Sequence, residues 1–164
     1  MNSILWDELY DVKKHTVYLI KYLAFLKSIK KYFEITTILL TSSGFIVWLS
    51  DKGAVWTGVS AGLATFVKLL ELLQDKFIAN DEYMEDVAEL RDKWCDYLDL
   101  LESLWIDYRI SITQKEASER FKQIKERKKE IEKSDSRIKI WIIFSVNRKA
   151  DKETSAYMQR YLQQ

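Results

Sequence analysis

Two stretches without a charged residue, separated by only two charges, constrain this chain more than any other feature. Residues 35–50, ITTILLTSSGFIVWLS, hold none over sixteen positions, and residues 53–67, GAVWTGVSAGLATFV, hold none over fifteen. A spanning helix needs about 20 mostly apolar residues, with about 17 as the lower bound. The first run reaches that length if Tyr32, Phe33 and Glu34 enter the headgroup region. The second reaches it from Ala54 to Leu73 if Lys68 snorkels. The two runs therefore predict a two-span hairpin turning at Ser50-Asp51-Lys52-Gly53. The competing reading is a buried hairpin in the core of a soluble bundle.

Several details favour the membrane. Trp48 and Trp56 bracket the apex as interfacial aromatics do. Lys27, Lys30 and Lys31 precede the first run, and Lys68 and Lys76 close the second, while the apex carries only Lys52. The positive-inside rule then places both termini in the cytoplasm. The start of the chain, with Trp6, Asp7 and Glu8, lacks the basic region of a cleavable signal peptide. Gly58 and Gly62 form a GxxxG ridge, extended backward by Ala54, of the kind that lets membrane helices approach closely. The first run carries a polar stripe at Thr37, Thr41, Gly44 and Trp48. Its hydroxyls can bond back to their own helix, pack against another helix, or line a water-filled path between subunits.

The rest of the chain reads as helix. It contains no proline, and its four glycines all lie in the hairpin. Sheet folds need turn residues every 8–12 positions or so, which leaves an all-α protein. Chemistry is bounded as well. His15 and Cys95 are the lone histidine and cysteine, too few for a Cys/His zinc site or an internal disulfide. No Gly-rich phosphate loop and no HExxH occurs. The expectation is a protein that is not an enzyme and carries no cofactor or metal.

Three segments follow: an amphipathic N-terminal helix (1–33), the hairpin (34–73) and a cytoplasmic helical region (74–164). The N-terminal helix shows one stripe at Leu5, Leu9, Val12, Thr16, Leu19, Leu23, Leu26, Lys30 and Phe33, and a second at Tyr18, Tyr22, Phe25, Ile29 and Tyr32. Together they make a wide apolar face. Beyond the hairpin, Tyr83, Val87, Leu90, Trp94, Tyr97, Leu101, Leu104 and Tyr108 alternate by four and three, a bundle or coiled-coil seam. No glycine or proline follows Leu63, so the second membrane helix can run straight into this stalk or break near Asn80. A weaker seam runs through Ala117, Phe121, Ile124, Lys128 and Ile131, with a lysine inside it.

Charge is segregated although the net is only +1: residues 80–110 carry ten acids and three bases, residues 113–152 thirteen bases and seven acids. The two segments either pair with one another or leave a basic site exposed. Lys122, Lys125, Lys129, Arg137 and Arg148 are the candidate contacts for an anionic ligand, a nucleotide or oligonucleotide; salt bridges to the acidic helix are the competing use. The run IKIWIIFSV (138–146) fits a strand or a short buried helix, with Trp141 in the core. Its basic flanks, Arg137, Lys139, Arg148 and Lys149, also allow nucleotide binding by charge and stacking. A last amphipathic helix is expected over 151–164, with Ala156, Tyr157, Tyr161 and Leu162 on it.

This plan, carried by KYFEITTILLTSSGFIVWLS (31–50), AVWTGVSAGLATFVKLLELL (54–73) and the helical pattern on either side, resembles the SLATT family of two-transmembrane effectors associated with nucleotidyltransferases and nucleotide sensors. The resemblance is one of architecture, since the family has no catalytic signature. It implies a bacterial antiviral effector that oligomerises, permeabilises the inner membrane, and answers to a nucleotide or oligonucleotide made by a partner enzyme. The residues alone add that a two-span chain cannot enclose a channel, so a pore requires a closed homo-oligomer, for which a tetramer is expected. Binding or release of the ligand would shift such a ring between two packings. The alternative is a non-conducting membrane anchor that recruits a soluble partner through its helical stalk.

Overall fold

The protein is all-helical, with no strand among the described residues, which are 2–41, 53, 58–59, 62–63, 65–68 and 80–163 of a computed structural model. Four long helices stand out: α1 (Asn2–Thr41), α2 (Asp81–Ile110), α3 (Gln114–Asp135) and α4 (Phe144–Gln163). Contacts divide the chain into two units, Met1–Ala24 with Glu82–Gln164, and Phe25–Asp81. The first 24 residues therefore belong with the C-terminal helices, and α1 leaves that company two turns before the predicted end of the N-terminal segment at residue 33.

The first unit is an up-down four-helix bundle, and its cross-helix pairs fix the directions. On α1 and α2, Trp6 meets Trp105 with ring centroids 5.1 Å apart and planes tilted by 49°, Glu8 meets Tyr97, His15 meets Trp94 and Tyr22 meets Tyr83, an antiparallel order. On α1 and α3, Glu8 meets Lys128 and His15 meets Asp135, a parallel order. Tyr10 reaches Asp151 and Ser155 while Tyr18 reaches Ile143, so α4 runs antiparallel to α1. Short connections account for this topology, since consecutive helices joined by a few residues pack as antiparallel neighbours.

The core follows the sequence periodicity closely. Leu5, Leu9, Val12, Thr16, Leu19 and Leu23 are buried on α1, and Val87, Leu90, Trp94, Tyr97, Leu101 and Leu104 on α2. Burial of each large apolar side chain contributes roughly 1.5–3 kcal/mol. α3 contributes only Ala117, Phe121 and Ile131. Its start is fixed instead by a capping box: Thr113 Oγ1 accepts from the Glu116 amide at 3.3 Å, and the Glu116 carboxylate accepts from the Thr113 amide at 3.0 Å.

Two expectations about the C-terminal region need correction. The run 138–146 is neither strand nor buried helix: residues 138–143 are irregular, and α4 begins at Phe144. Trp141 is 74 % exposed, not in the core. The buried stripe of α4 is Val146, Ala150, Thr154 and Met158, spaced by four. Ala156 is exposed and Tyr157 half-buried, because that spacing turns their side of the helix outward. The side chains of Tyr161 and Leu162 lie outside the described residues.

In the second unit, Lys30 Nζ sits 2.6 Å from Asp81 Oδ1, which ties the outgoing helix to the point where the chain returns. Gly53 has a φ of +111°, a conformation that glycine adopts without the penalty a side chain incurs. Among the described residues no helix is long and apolar enough to cross a membrane. Trp48, Trp56 and most of both predicted spans lie outside the described residues.

Candidate functional site

Three features of the bundle concentrate polar chemistry. The first is a junction of α1, α2 and α3 around Glu8. Its carboxylate is 11 % exposed, accepts from Lys128 Nζ at 2.6 Å and from the Tyr97 hydroxyl at 3.2 Å, and stands 3.9 Å from Lys125 Nζ. Lys128 is the lysine inside the α3 seam, and Glu8 is the carboxylate that makes its place there tolerable. A half-buried ammonium needs such a partner.

The second is a groove between α2 and α3. One stretch of about 280 Å³ runs past Ser103, Asp107, Arg120 and Gln123; the next, about 490 Å³, runs past Lys93, Asp96, Glu130 and Ser134. Arg127 and Leu100 line both. Arg120 closes one end on Asp107 at 2.9 Å. The acidic and basic segments thus face one another, though few of their charges meet in ion pairs, and the groove keeps both signs along its walls.

The third is the irregular connector 138–143. Tyr18 donates to the Trp141 carbonyl at 2.6 Å and accepts from the Ile143 amide at 3.1 Å. Tyr83 donates to the Lys139 carbonyl at 2.7 Å, and the Tyr22 and Tyr83 hydroxyls lie 3.1 Å apart. Two phenols thus satisfy backbone groups that a strand would have paired in a ladder. Beside this connector a cleft of about 340 Å³ is lined by Lys14, His15, Tyr18, Asp135 and Ile142, among others. His15 Nε2 lies 3.4 Å from Asp135 Oδ2 but without hydrogen-bond geometry, and its ring edge meets Trp94.

Tyr18→Phe removes one donor and one acceptor at once. The expected cost is about 1–2 kcal/mol, with faster amide exchange at Ile143 as the local signature. Unchanged protection of that amide would show that the phenol does not hold the connector.

The phenols also set a pH dependence. Burial, first of all, raises Tyr18, Tyr83 and Tyr97 above the ordinary phenol value near 10; for Tyr83 the Tyr22 hydroxyl adds to it, and for Tyr97 the Glu8 carboxylate does. A raised acid keeps its proton better in the folded state. Its contribution is therefore complete below about pH 10 and is lost as pH climbs from there through the folded values. Thermal unfolding in detergent should hold steady to about pH 10 and then move to lower temperature, less so in Tyr83→Phe. A melting temperature indifferent to alkali would contradict this burial.

The anion-site residues read from the sequence do not form one site within a chain. Lys125 faces Glu8 and lies 5.1 Å from the Phe121 ring, and Lys129 pairs with Glu126 at 3.0 Å. Lys122, Arg137 and Arg148 are exposed, with no carboxylate within 4 Å among the described residues. Lys122 lies thirteen positions before the end of α3 at Asp135, a rise of about 20 Å, and Arg137 lies beyond that end. A single small anion cannot touch both in one copy. Of the packing or pore residues, Thr37 is half-buried in α1. Gly58 and Gly62 are helical, and a Cβ on either would meet nothing within 4 Å. Gly44 and the side chain of Thr41 lie outside the described residues.

Sequence reasoning missed the Glu8 junction and the two-phenol anchor. Lys128 in a seam was the available signal for the first, since a lysine there demands a carboxylate. Nothing local announces the second. Comparison with protein families, with curated proteins and with solved structures finds no match to this chain.

Proposed function

We propose that the chain is a two-span protein of the bacterial inner membrane, with both termini cytoplasmic, that assembles as a homo-oligomer, a tetramer, and conducts ions under the control of an anionic nucleotide or oligonucleotide. The observation that carries this reading is the ion pair of Lys30 with Asp81, which returns the chain to its point of departure around the two charge-free runs. The outward row on α1 supports it. Tyr32, Ile35, Ile38 and Leu39 are all exposed, Tyr32 by 72 % and Ile38 by 68 %. Water is a costly neighbour for such a row, whereas lipid or a second copy is not.

The antiviral role rests on the resemblance to SLATT effectors, and so does the partner nucleotidyltransferase as source of the ligand. An anion bound between copies would be met by the same exposed base from each subunit, Lys122, Arg137 or Arg148, around the axis of a ring. Ligand control requires that the anion bind the conducting and closed packings differently.

The test is ion flux from dye-loaded liposomes containing the full chain, with and without synthetic cyclic dinucleotides and linear oligonucleotides. Flux that depends on one of these probes is the expected result. Charge reversal at Lys122 and Arg148 should abolish the dependence and leave assembly intact. Integration without flux under every probe favours the second reading, a non-conducting anchor. The mixed-charge groove between α2 and α3, with Arg127 at its middle, is the surface that would then recruit a soluble partner.

A further inference from the structure

Three strongly exposed large apolar side chains of the bundle stand together where the connector enters α4. Ile142 is 84 % exposed, Phe144 79 % and Trp141 74 %. Mobility does not explain this, because Tyr18 and Tyr83 hold the backbone at Lys139, Trp141 and Ile143. The same stretch is strongly basic. Residues 136–150 contain Arg137, Lys139, Arg148 and Lys149 and no acid. All four bases are exposed, with no carboxylate within 4 Å among the described residues.

We infer that this tip is a docking element for an anionic bilayer surface: Trp141, Ile142 and Phe144 enter the interface while the four bases meet lipid phosphates. Both halves of the element suit that surface. Aromatic side chains favour the headgroup region, and bases near an anionic leaflet gain about 1 kcal/mol each. A free nucleotide could meet the bases but would leave much of the three exposed apolar side chains in water. The acidic face of α2 in a second copy would satisfy the charges. Its exposed large apolar residues, Ile106 and Ile110, stand near Glu102 and Asp107, so a second copy is the competing occupant that the experiment separates.

Position in the chain agrees. Tyr18 and Tyr22 lie in the last two turns of the α1 part of the bundle, and Tyr83 lies in the first turn of α2. The tip is therefore at the end of the bundle that carries Tyr18, Tyr22 and Tyr83. The inference draws on the membrane reading for its setting, but not for the chemistry of the tip.

The experiment uses the full chain with Cys95→Ser and one new cysteine, Ile142→Cys for the tip or Ile38→Cys for the predicted span, each labelled with an environment-sensitive fluorophore. The labelled proteins are reconstituted into phosphatidylcholine vesicles with and without phosphatidylglycerol, and quenched with nitroxide-bearing lipid. The expected result is a blue shift and quenching at 142 in the anionic vesicles only, together with quenching at 38 in both. Neutralising Arg137, Lys139, Arg148 and Lys149 should weaken docking roughly fivefold per base. A water-like label at 142 beside a quenched label at 38 overturns the tip and leaves the hairpin standing. The converse sinks the hairpin and supports the tip. A blue shift at 142 that grows with protein concentration in lipid-free detergent identifies a second copy as the occupant and overturns the lipid assignment.

Discussion

Glu8→Ala is expected to destabilise the bundle by about 2–3 kcal/mol, lowering its melting temperature by roughly 10 °C. The substitution removes one carboxylate but strands three partners: Lys128 Nζ at 2.6 Å, the Tyr97 hydroxyl at 3.2 Å and Lys125 Nζ at 3.9 Å. Most of the loss comes from what remains, an ammonium in the α3 seam and a phenol that is 1 % exposed, not from the attraction itself. Glu8→Gln keeps an acceptor for Tyr97 and should recover part of the loss. Glu8→Leu combined with Lys128→Met removes both charges and should recover most of it, since an apolar pair of similar volume often replaces a buried ion pair at little cost. Denaturant titration of the wild type and the three variants measures each step. A loss below about 0.5 kcal/mol for Glu8→Ala would place this carboxylate among ordinary surface charges.

The second large effect belongs to the charge-free runs. Ser43→Arg together with Leu63→Arg puts one guanidinium near the centre of each predicted span. On insertion scales each costs about 2.5–3.5 kcal/mol, so the pair should reduce integration by roughly four orders of magnitude. Flotation of vesicles on a density gradient reads the result: the wild-type chain rises with the lipid and the double variant stays behind. The alternative of a soluble buried hairpin makes a different forecast. There the arginines would enter a protein core and unfold it, whereas in the membrane reading amide protection in the bundle, at Leu90, Tyr97 and Leu101, survives in the unfloated fraction. Loss of that protection would count against the hairpin.

How much of this was legible depends on where the determining partner lies in the sequence. The α2 seam could be read because its spacing of four and three is a local property. Every residue from Val87 to Leu104 that the pattern marks is buried. The α1 stripe was legible in type but not in extent. The same periodicity runs on through Leu26, Lys30 and Phe33, yet full burial ends at Leu23, where the chain passes into the second unit. Periodicity reports that a face is apolar, not what covers it.

The connector was misread for the opposite reason. A β-branched and aromatic run reads as strand or core, and its actual conformation depends on two tyrosines 123 and 56 positions away. The anion site was illegible in a third way. Lysines at helical spacing look alike on one sequence, but Lys125 and Lys129 face carboxylates while Lys122 does not. The charge pattern left open whether the acidic and basic segments meet or a basic site stands exposed. It gave no hint that the deepest contact of the basic helix is with Glu8 of α1.

The central claim is that residues 34–73 hold this chain in a bilayer, and alkaline-carbonate extraction of membranes from cells making the full chain at low level tests it most directly. High pH strips proteins held by charge and leaves those held by spanning helices. Retention in the washed pellet is the predicted result. Release into the supernatant would contradict it, and would turn the charge-free runs into a buried soluble hairpin.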